Sequence, residues 1–385
     1  MSAGSRHRWL VASDRPLVEA FDAAVLDLDG TLFRGTQVVP GAPEAVAALR
    51  RAGGRPAFVT NNASRPPGEV VEHLTAVGLR CDLSEVLTAA QAGAGLVAAR
   101  VPAGSAVLVV GGAGVREALI EVGLRPVFRA DHQPVAVLQG WSPELNWAGL
   151  AEGAFALEAG LPWIVTNPDA TLPTDRGIAP GNGSFVAMLA SVSGREPDAV
   201  AGKPMAPLIE LAISRLAARD PLLVGDRLDT DIAAASAVGL PSLLVLSGVT
   251  DLRALLLAGP TMRPSFLARD VTGLLRRHRG AVAGPDAGWS CGRWSVKVAS
   301  VPPSTAEAGR PPRLVLSKDG APDQVVDASG WGDRDSDGLD AVRAAAAAAW
   351  ACLDAGEAAV VDDELIAALD QASGQGPARS AEQGT

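Results

Sequence analysis

The chain has 385 residues, a hydrophobic content of 48% and a formal net charge of −10. This length allows two or three domains with hydrophobic cores, and the lack of a basic run longer than RRHR at 276–279 argues against nucleic acid as a partner. No stretch of about 18 apolar residues is present, and the N-terminus carries no continuous apolar segment, so we expect a cytoplasmic protein without a membrane span.

The cysteines and histidines are too scattered to predict a zinc site, a disulfide framework or a Ser-His-Asp triad. This pattern favours a reducing compartment. The residues concerned are Cys81, Cys291, Cys352, His7, His73, His132 and His278.

The first predicted elements alternate between strand and helix. Apolar runs at 22–28 and 55–62 are typical of buried strands, and the patterns at 43–54 and 66–79 are typical of helices with proline near the start. This alternation predicts an α/β fold with a doubly wound parallel sheet, in which ligands bind beyond the carboxyl ends of the strands.

A second series of strands and helices occupies residues 86–185, and we interpret it as an α/β domain inserted into the first. Its clearest patterns lie at 105–124, 134–141 and 161–174. The strand–helix–strand pattern of the first domain returns at 220–249. Residues 1–85 and 186–270 are therefore predicted to form one Rossmann-like core.

The composition changes after about residue 270, and residues 281–373 are predicted to form a small α+β module. Its predicted strands are 292–300 and 312–320, and its predicted helices are 338–356 and 362–373. The order resembles half of an acetyltransferase-like fold, but the Gly-rich turn that would bind a coenzyme A pyrophosphate is missing. We favour a non-catalytic module for packing or for forming a homodimer, followed by a disordered tail at 374–385.

Two carboxylates follow the first strand in the sequence DLDGT. Side chains alternate along a strand, so Asp27 and Asp29 start on the same side, and each raises the pKa of the other unless a cation neutralises them. A Mg²⁺ ion fits this pair because it prefers oxygen ligands and bridges to phosphate. One carboxylate can then attack phosphorus while the other transfers protons. For this motif alone, a plain turn with solvated acids is the alternative.

Groups suited to phosphate occur in two further segments. Thr60, Asn61 and Asn62 end the second strand, where a hydroxyl and backbone N–H groups can hold phosphate oxygens. Lys203 in AGKP is one of only three lysines and can bind phosphate as a point charge, with an ordinary surface lysine as the alternative.

A second acidic segment, GDRLDTD, follows a later strand. Asp226 suits direct Mg²⁺ ligation, and Asp231 suits an outer position from which it orients the ligands. Capping of the next helix is the alternative for both, and we expect it to be part of the role of Asp229.

The motifs DLDGT, VTNN, AGKP and GDRLDTD resemble, in that order, those of the haloacid dehalogenase superfamily of phosphohydrolases, over about residues 20–270. The resemblance implies that Asp27 is the nucleophile and Asp29 the general acid and base. It also implies that Thr60 and Lys203 bind phosphate, and that Mg²⁺ is held by Asp27, the backbone carbonyl of Asp29, and Asp226.

The segment 166–189 resembles the subfamily with a large α/β cap, which includes p-nitrophenylphosphatases and the phosphoglycolate, glycerol 3-phosphate and pyridoxal phosphate phosphatases. A closing cap favours a small phosphate ester over a macromolecule. Asn167, Asp169 and Asn182 are candidate cap contacts, or else they hold the hinge. The composition and the C-terminal extension resemble actinobacterial members, which implies glycerol 3-phosphate as the substrate, with phosphoglycolate as the alternative.

Weaker patterns are set aside. VVGGAGVRE at 109–117 is an incomplete dinucleotide fingerprint and predicts a turn opening a helix, and DRDSDG at 333–338 lacks the last ligand of an EF-hand and predicts an acidic turn with Asp340 near a helix start. AGKP is not a Walker A loop. A phosphate-metabolite sensor without turnover is the alternative of another class, and the four intact motifs argue against it.

Overall fold

A computed structural model describes residues 9–174, 176–284, 288–299, 313–318, 337–357 and 360–373. The predicted tail at 374–385 and most of the predicted acidic turn at 333–338 lie outside these ranges. In chain order the strands are β1 (Ala23–Asp27), β2 (Phe33–Arg34), β3 (Gln37–Val38), β4 (Arg55–Thr60), β5 (Val86–Thr88), β6 (Ala106–Val110), β7 (Arg125–Val127), β8 (Ala136–Gln139), β9 (Trp163–Val165), β10 (Thr171–Thr174), β11 (Gly177–Pro180), β12 (Ala199–Val200), β13 (Pro221–Gly225), β14 (Ser242–Val245), β15 (Phe266–Ala268), β16 (Val282–Ala283), β17 (Trp289–Cys291), β18 (Trp294–Ala299) and β19 (Arg313–Lys318).

The α-helices, again in chain order, are α1 (Leu17–Ala20), α2 (Ala42–Arg51), α3 (Pro67–Ala76), α4 (Ala89–Ala98), α5 (Ala113–Glu121), α6 (Trp147–Glu158), α7 (Asn182–Ser193), α8 (Pro207–Leu216), α9 (Ala233–Ala237), α10 (Leu252–Leu256), α11 (Asp340–Asp354) and α12 (Asp363–Ser373). Within the described ranges, no helix combines the length and the apolar composition needed to cross a membrane.

Six parallel strands form the sheet that carries the strand ends singled out above. Their order is β15-β14-β13-β1-β4-β5. Every residue of β1 is buried, because Ala24 and Leu26 pack against α1, α2 and α3 whereas Ala23 and Val25 pack against α4, α8 and α9. A strand covered on both faces has a continuous apolar sequence, and the predicted doubly wound parallel sheet is confirmed.

A second parallel sheet has the order β12-β9-β8-β6-β7, with α5 on one face and α6 and α7 on the other. Helix α4 lies between the two sheets: Ala89 and Ala92 belong to the core of the first, Ala90 and Ala94 to that of the second.

Strand pairing differs from the predicted domain limits at 86 and 185. Strand β5 pairs with β4 in the six-stranded sheet, and β12 pairs with β9 in the second sheet. Both strands are too short to show a periodicity in the sequence. We therefore propose that the inserted domain runs from the end of β5 to the end of β12.

The C-terminal module contains the antiparallel sheet β16-β17-β18-β19 and helices α11 and α12. Strands β18 and β19 and both helices match the predicted elements, whereas β16 and β17 were not predicted. Helix α11 is buried along almost its whole length and shares one hydrophobic cluster with Leu255 and Leu267 of the six-stranded domain. The Arg343 guanidinium also donates from Nη2 to the Leu267 carbonyl over 2.6 Å, so the module is packed onto the core.

The N-terminal segment passes between the core and the module. Leu10 N–H donates to the Pro264 carbonyl over 3.0 Å, and the Leu10 carbonyl accepts from Ala281 N–H at 2.9 Å. The Trp9 ring packs against the rings of Trp289 and Trp350, with centroids 5.4 and 5.1 Å apart. Trp9 and Leu10 therefore belong to the same hydrophobic cluster as the C-terminal module.

Candidate active site

Three neighbouring strands of the six-stranded sheet end at one crevice. Asp27 is the last residue of β1, Thr60 is the last residue of β4, and Asp226 directly follows β13. Because β4, β1 and β13 are adjacent and parallel, their carboxyl ends present these side chains at the same edge. The alternation of apolar strands with polar strand ends predicted this arrangement.

Lys203 lies inside the crevice, almost completely buried. Its Nζ donates to Asp27 Oδ1 and, over 2.6 Å, to Asp231 Oδ1. Burial disfavours the ammonium, but the charges of Asp231 and Asp27 outweigh burial and raise the pKa of Lys203. The lysine is therefore charged at any physiological pH, and the reading of Lys203 as a surface loop lysine is wrong.

Among the described residues, the three buried carboxylates of Asp27, Asp226 and Asp231 outnumber the one buried lysine, Lys203, that contacts the cluster. Burial and the charge of Asp231 raise the pKa of Asp27 well above its ordinary value, with Lys203 opposing that shift. Burial, again with the charge of Asp231, raises the pKa of Asp226 to about 6. Excess buried negative charge of this kind is stabilised either by protons or by a further cation.

The carboxylate cluster fits a hard divalent cation. Ligand oxygens of Asp27, Asp226 and Asp231 lie within 4.8 Å of one another. Asp226 is fully buried; its Oδ2 accepts from Val249 N–H at 2.7 Å, while its Oδ1 has no hydrogen-bond partner among the described residues. A buried carboxylate oxygen without a donor is costly, and a metal ion would satisfy it.

Two glycines give the Asp226 carboxylate its space. A β-carbon on Gly248 would lie 1.8 Å from Asp226 Oδ2, and one on Gly30 would lie 2.5 Å from the same oxygen. Gly30 also has a φ of +84°, which side chains rarely adopt. The Ser247 hydroxyl donates to the Gly30 carbonyl over 2.7 Å, so the loop after β1 is tied to the loop after β14.

Asp29 lies at the mouth of the crevice. Its side chain is exposed at the surface, yet the surrounding protein desolvates the carboxyl enough to raise its pKa, with the charges of Lys203, His73 and Arg65 acting in the opposite direction. A carboxyl that is accessible and holds its proton more tightly than usual is suited to proton transfer with a bound substrate.

The loop after β4 is ordered by side-chain hydrogen bonds. Thr60 Oγ1 accepts from Asn62 N–H at 3.0 Å, and Asn62 Oδ1 accepts from the Ser64 N–H and hydroxyl at 3.0 and 2.7 Å. Thr60 is buried beside Asp27, whereas Asn62 is exposed. The Thr60 hydroxyl and the Asn62 carboxamide therefore hold the backbone of this loop in place at the end of β4.

Asn167, Asp169 and Asn182, predicted as cap contacts, are bonded to other protein groups. Asn167 Nδ2 donates to the Asn61 carbonyl over 2.7 Å, and Asn182 Nδ2 donates to the Asn167 carbonyl over 2.8 Å. Asp169 Oδ2 accepts from Asn61 Nδ2 at 3.1 Å. The bonds of Asn167 and Asp169 to Asn61 join the two domains, whereas the bond of Asn182 lies within the inserted domain, and this pattern favours the hinge interpretation.

The acidic motif after β13 contains a residue that the sequence analysis did not single out. Arg227 forms a two-pronged pair with Asp229, at 3.0 and 2.7 Å, and its backbone N–H donates to Asp231 Oδ2 over 3.1 Å. Asp229 therefore pairs with an arginine, and this pair, together with backbone hydrogen bonds from Asp229 and Thr230, lowers the pKa of its carboxyl. In the sequence, only the two-residue spacing between Arg227 and Asp229 could have indicated this ion pair.

Comparison with known proteins identifies the family. The sequence model of the haloacid dehalogenase-like hydrolases matches residues 24–125, and a second model, described as HAD-hydrolase-like, matches residues 200–274. A D-glycerol 3-phosphate phosphatase from Mycobacterium tuberculosis is 42% identical over 275 residues, covering 71% of this chain and 77% of that protein. The chain belongs to the haloacid dehalogenase-like hydrolase family. An acid sugar phosphatase from Staphylococcus aureus is 33% identical over 238 residues, 61% of this chain and 90% of that protein.

Solved structures of the family show the same architecture. A glycerol phosphate phosphatase from Mycobacterium tuberculosis, crystallised in complex with magnesium, has a TM-score of 0.75 and 36% identity, with coverage of 93% of this chain and 98% of that chain. A p-nitrophenyl phosphatase from Archaeoglobus fulgidus has a TM-score of 0.62 and 30% identity, and covers 66% of this chain and 98% of its own. The mycobacterial structure thus matches a longer part of this chain than the archaeal structure does.

Proposed function

We propose that this phosphoric monoester hydrolase converts glycerol 3-phosphate to glycerol and phosphate with Mg²⁺ as its cofactor. The observation that carries the proposal is the buried cluster of Asp27, Asp226, Asp231 and Lys203 at the strand ends. The named mycobacterial relative, at 42% identity, supports glycerol 3-phosphate as the substrate, and the magnesium complex of its structural counterpart supports the metal.

Asp27 is the nucleophile in this proposal. Lys203 donates to its Oδ1, and the Thr31 hydroxyl lies 3.5 Å from its Oδ2, so two side chains hold the carboxylate at the strand end. Attack breaks the bond between phosphorus and the ester oxygen and forms an aspartyl-phosphate on Asp27. Water then cleaves that intermediate and releases phosphate.

Asp29 transfers the protons. Its raised pKa lets it protonate the departing alkoxide of glycerol and then remove a proton from the attacking water. Lys203 and Thr60 bind the phosphoryl oxygens, so negative charge that develops in the transition state meets a fixed ammonium and a hydroxyl. Asp27, Asp226 and the Asp29 carbonyl would hold Mg²⁺, which when bound neutralises phosphoryl charge.

The experiment is phosphate release from a panel of small esters, with Mg²⁺ and with EDTA. The panel contains glycerol 3-phosphate, phosphoglycolate, a sugar phosphate and p-nitrophenyl phosphate. Magnesium-dependent preference for glycerol 3-phosphate supports the proposal. Preference for phosphoglycolate or the sugar phosphate overturns the substrate but keeps the chemistry, and release from none of them favours the sensor alternative. A cytoplasmic location and a homodimer stay predictions.

A further inference from the structure

Asn61 directly follows β4, and its side chain is fully used by other protein groups. Its Oδ1 accepts from Lys203 N–H at 2.8 Å, and its Nδ2 donates to the Lys203 carbonyl over 2.9 Å and to Asp169 Oδ2 over 3.1 Å. A carboxamide has two N–H donors, and both are engaged here. The side chain therefore has no free donor for phosphate, and of Asn61 only the backbone N–H, to which the sequence analysis pointed, stays a candidate for that contact.

The two bonds to Lys203 are reciprocal. The N–H and the carbonyl of one residue both pair with a single carboxamide, which fixes the backbone from which the buried ammonium extends to Asp27 and Asp231. Without this anchor the long lysine side chain would start from a loop that could shift. Catalytic placement of this kind is sensitive to displacements of about 1 Å.

Gly202 allows the close approach of the two loops. A β-carbon at this position would lie 2.5 Å from Asn61 Oδ1 and 2.6 Å from the Thr166 carbonyl oxygen. Its N–H donates to that same carbonyl over 2.7 Å. Even the smallest side chain at 202 would therefore push the Asn61 carboxamide away from Lys203.

A line of hydrogen bonds continues from Asn61 into the inserted domain. The Asn61 carbonyl accepts from Asn167 Nδ2, and the Asn167 carbonyl accepts from Asn182 Nδ2, at 2.7 and 2.8 Å. Asn182 is the first residue of α7, so the line runs from the start of a cap helix to the backbone of Lys203.

We propose that Asn61 is a positioning residue that holds Lys203 in its phosphate-binding place and connects it, through Asp169 and Asn167, to the inserted domain. The inference rests on the proposed function in so far as Lys203 binds phosphate. It assigns Asn61 an action on Lys203 and none on the substrate.

The decisive variant is Asn61→Asp, which has the same shape but replaces the amide donor with an acceptor facing both the Lys203 carbonyl and Asp169. Gly202→Ala disturbs the same contact without altering either partner. Asn146→Asp is the matched control, because Asn146 is exposed and caps α6 through an oxygen that aspartate also supplies. For each protein we would measure kcat and KM for p-nitrophenyl phosphate, calorimetric affinity for inorganic phosphate, and melting temperature.

We expect kcat/KM and phosphate affinity to fall roughly tenfold to 10²-fold in both Asn61→Asp and Gly202→Ala, and to stay near wild type in Asn146→Asp. In the double variant Asn61→Asp with Asp169→Asn, the amide at 169 can donate to the carboxylate at 61, which reverses the original hydrogen bond. This variant should recover part of the lost kcat/KM and phosphate affinity. Lower melting temperatures with unchanged kcat/KM and phosphate affinity would overturn the inference, because Asn61 would then only stabilise the fold. If Asn61→Asp does not fold, Gly202→Ala decides by the same criterion.

The proposed function and this inference fail separately. A wild-type protein that releases no phosphate from any ester refutes the proposed function. Calorimetric binding of inorganic phosphate to the wild type, Gly202→Ala and Asn146→Asp still decides whether the loop contact positions Lys203.

Discussion

Replacement of Trp350 by alanine should destabilise the phosphatase core, although Trp350 lies in the C-terminal module. The indole is fully buried, its Nε1–H donates to the Leu255 carbonyl over 2.9 Å, and the Arg263 guanidinium lies 5.4 Å from its ring centroid. Truncating a buried Trp costs about 3–5 kcal/mol. The Leu255 carbonyl would keep the Ala258 N–H as a donor at 3.2 Å, so the lost packing of the ring makes up most of this cost.

A loss of about 3–5 kcal/mol is a large part of the 5–15 kcal/mol typical for a folded domain. The assay is urea unfolding followed both by tryptophan fluorescence and by residual phosphatase activity. We expect both curves to move together to lower urea in Trp350→Ala. Trp350→Phe keeps most of the volume and should lose less.

Trp147→Ala is the matched control, because the Trp147 side chain is 81% exposed and its removal should change stability by less than about 0.5 kcal/mol. An activity curve that stays at the wild-type midpoint in Trp350→Ala while the fluorescence curve shifts would refute the reasoning. The module would then unfold as an independent unit, despite the shared hydrophobic cluster.

Four further predictions concern the crevice. Asp27→Asn should abolish phosphate release with an unchanged circular dichroism spectrum, and Asp29→Asn should lower kcat by roughly 10²–10⁴-fold; retained turnover in either would remove that residue from its proposed role. Asp226→Asn should change the dependence of kcat on Mg²⁺ concentration, because the metal loses one carboxylate ligand. A magnesium titration identical to that of the wild type would exclude Asp226 as a ligand. Without metal, folding raises the pKa of the Asp226 carboxyl from 3.8 to about 6. The protonated carboxyl therefore contributes fully to stability below pH 3.8, and this contribution is lost as the pH rises through 6. Added Mg²⁺ should therefore raise the melting temperature more at about pH 7.5 than at about pH 5, and equal shifts at both would contradict this.

The sequence predicted the chemistry of the crevice better than its internal contacts. Asp27 and Asp226 could be predicted because each is a charged residue at the end of an apolar run. The ends of neighbouring parallel strands lie at the same edge of a sheet, so these two residues were expected to lie close together. The pairing of Asn61 with Lys203 connects residues 142 positions apart and depends on how two loops meet. No local pattern in the sequence carries that information.

The fold was predictable where elements are long enough to show a period. Strands β5 and β12 have three and two residues, so their assignment to opposite sheets could not be read from the sequence. Helix α11 was predicted as a helix, but its run of alanines has no polar face from which burial could be judged. Its burial depends on the fit between small side chains and the strands and helices around it.

The N-terminal segment has a consequence for the order in which the protein is made. Leu10 pairs with Pro264 and Ala281, and Trp9 packs against Trp350. Trp9 and Leu10 precede Trp350 and Ala281 by most of the described chain, so during synthesis these apolar residues are made well before their partners. The strands of the core can pair earlier, but the segment around Trp9 is covered only after helix α11 has been made.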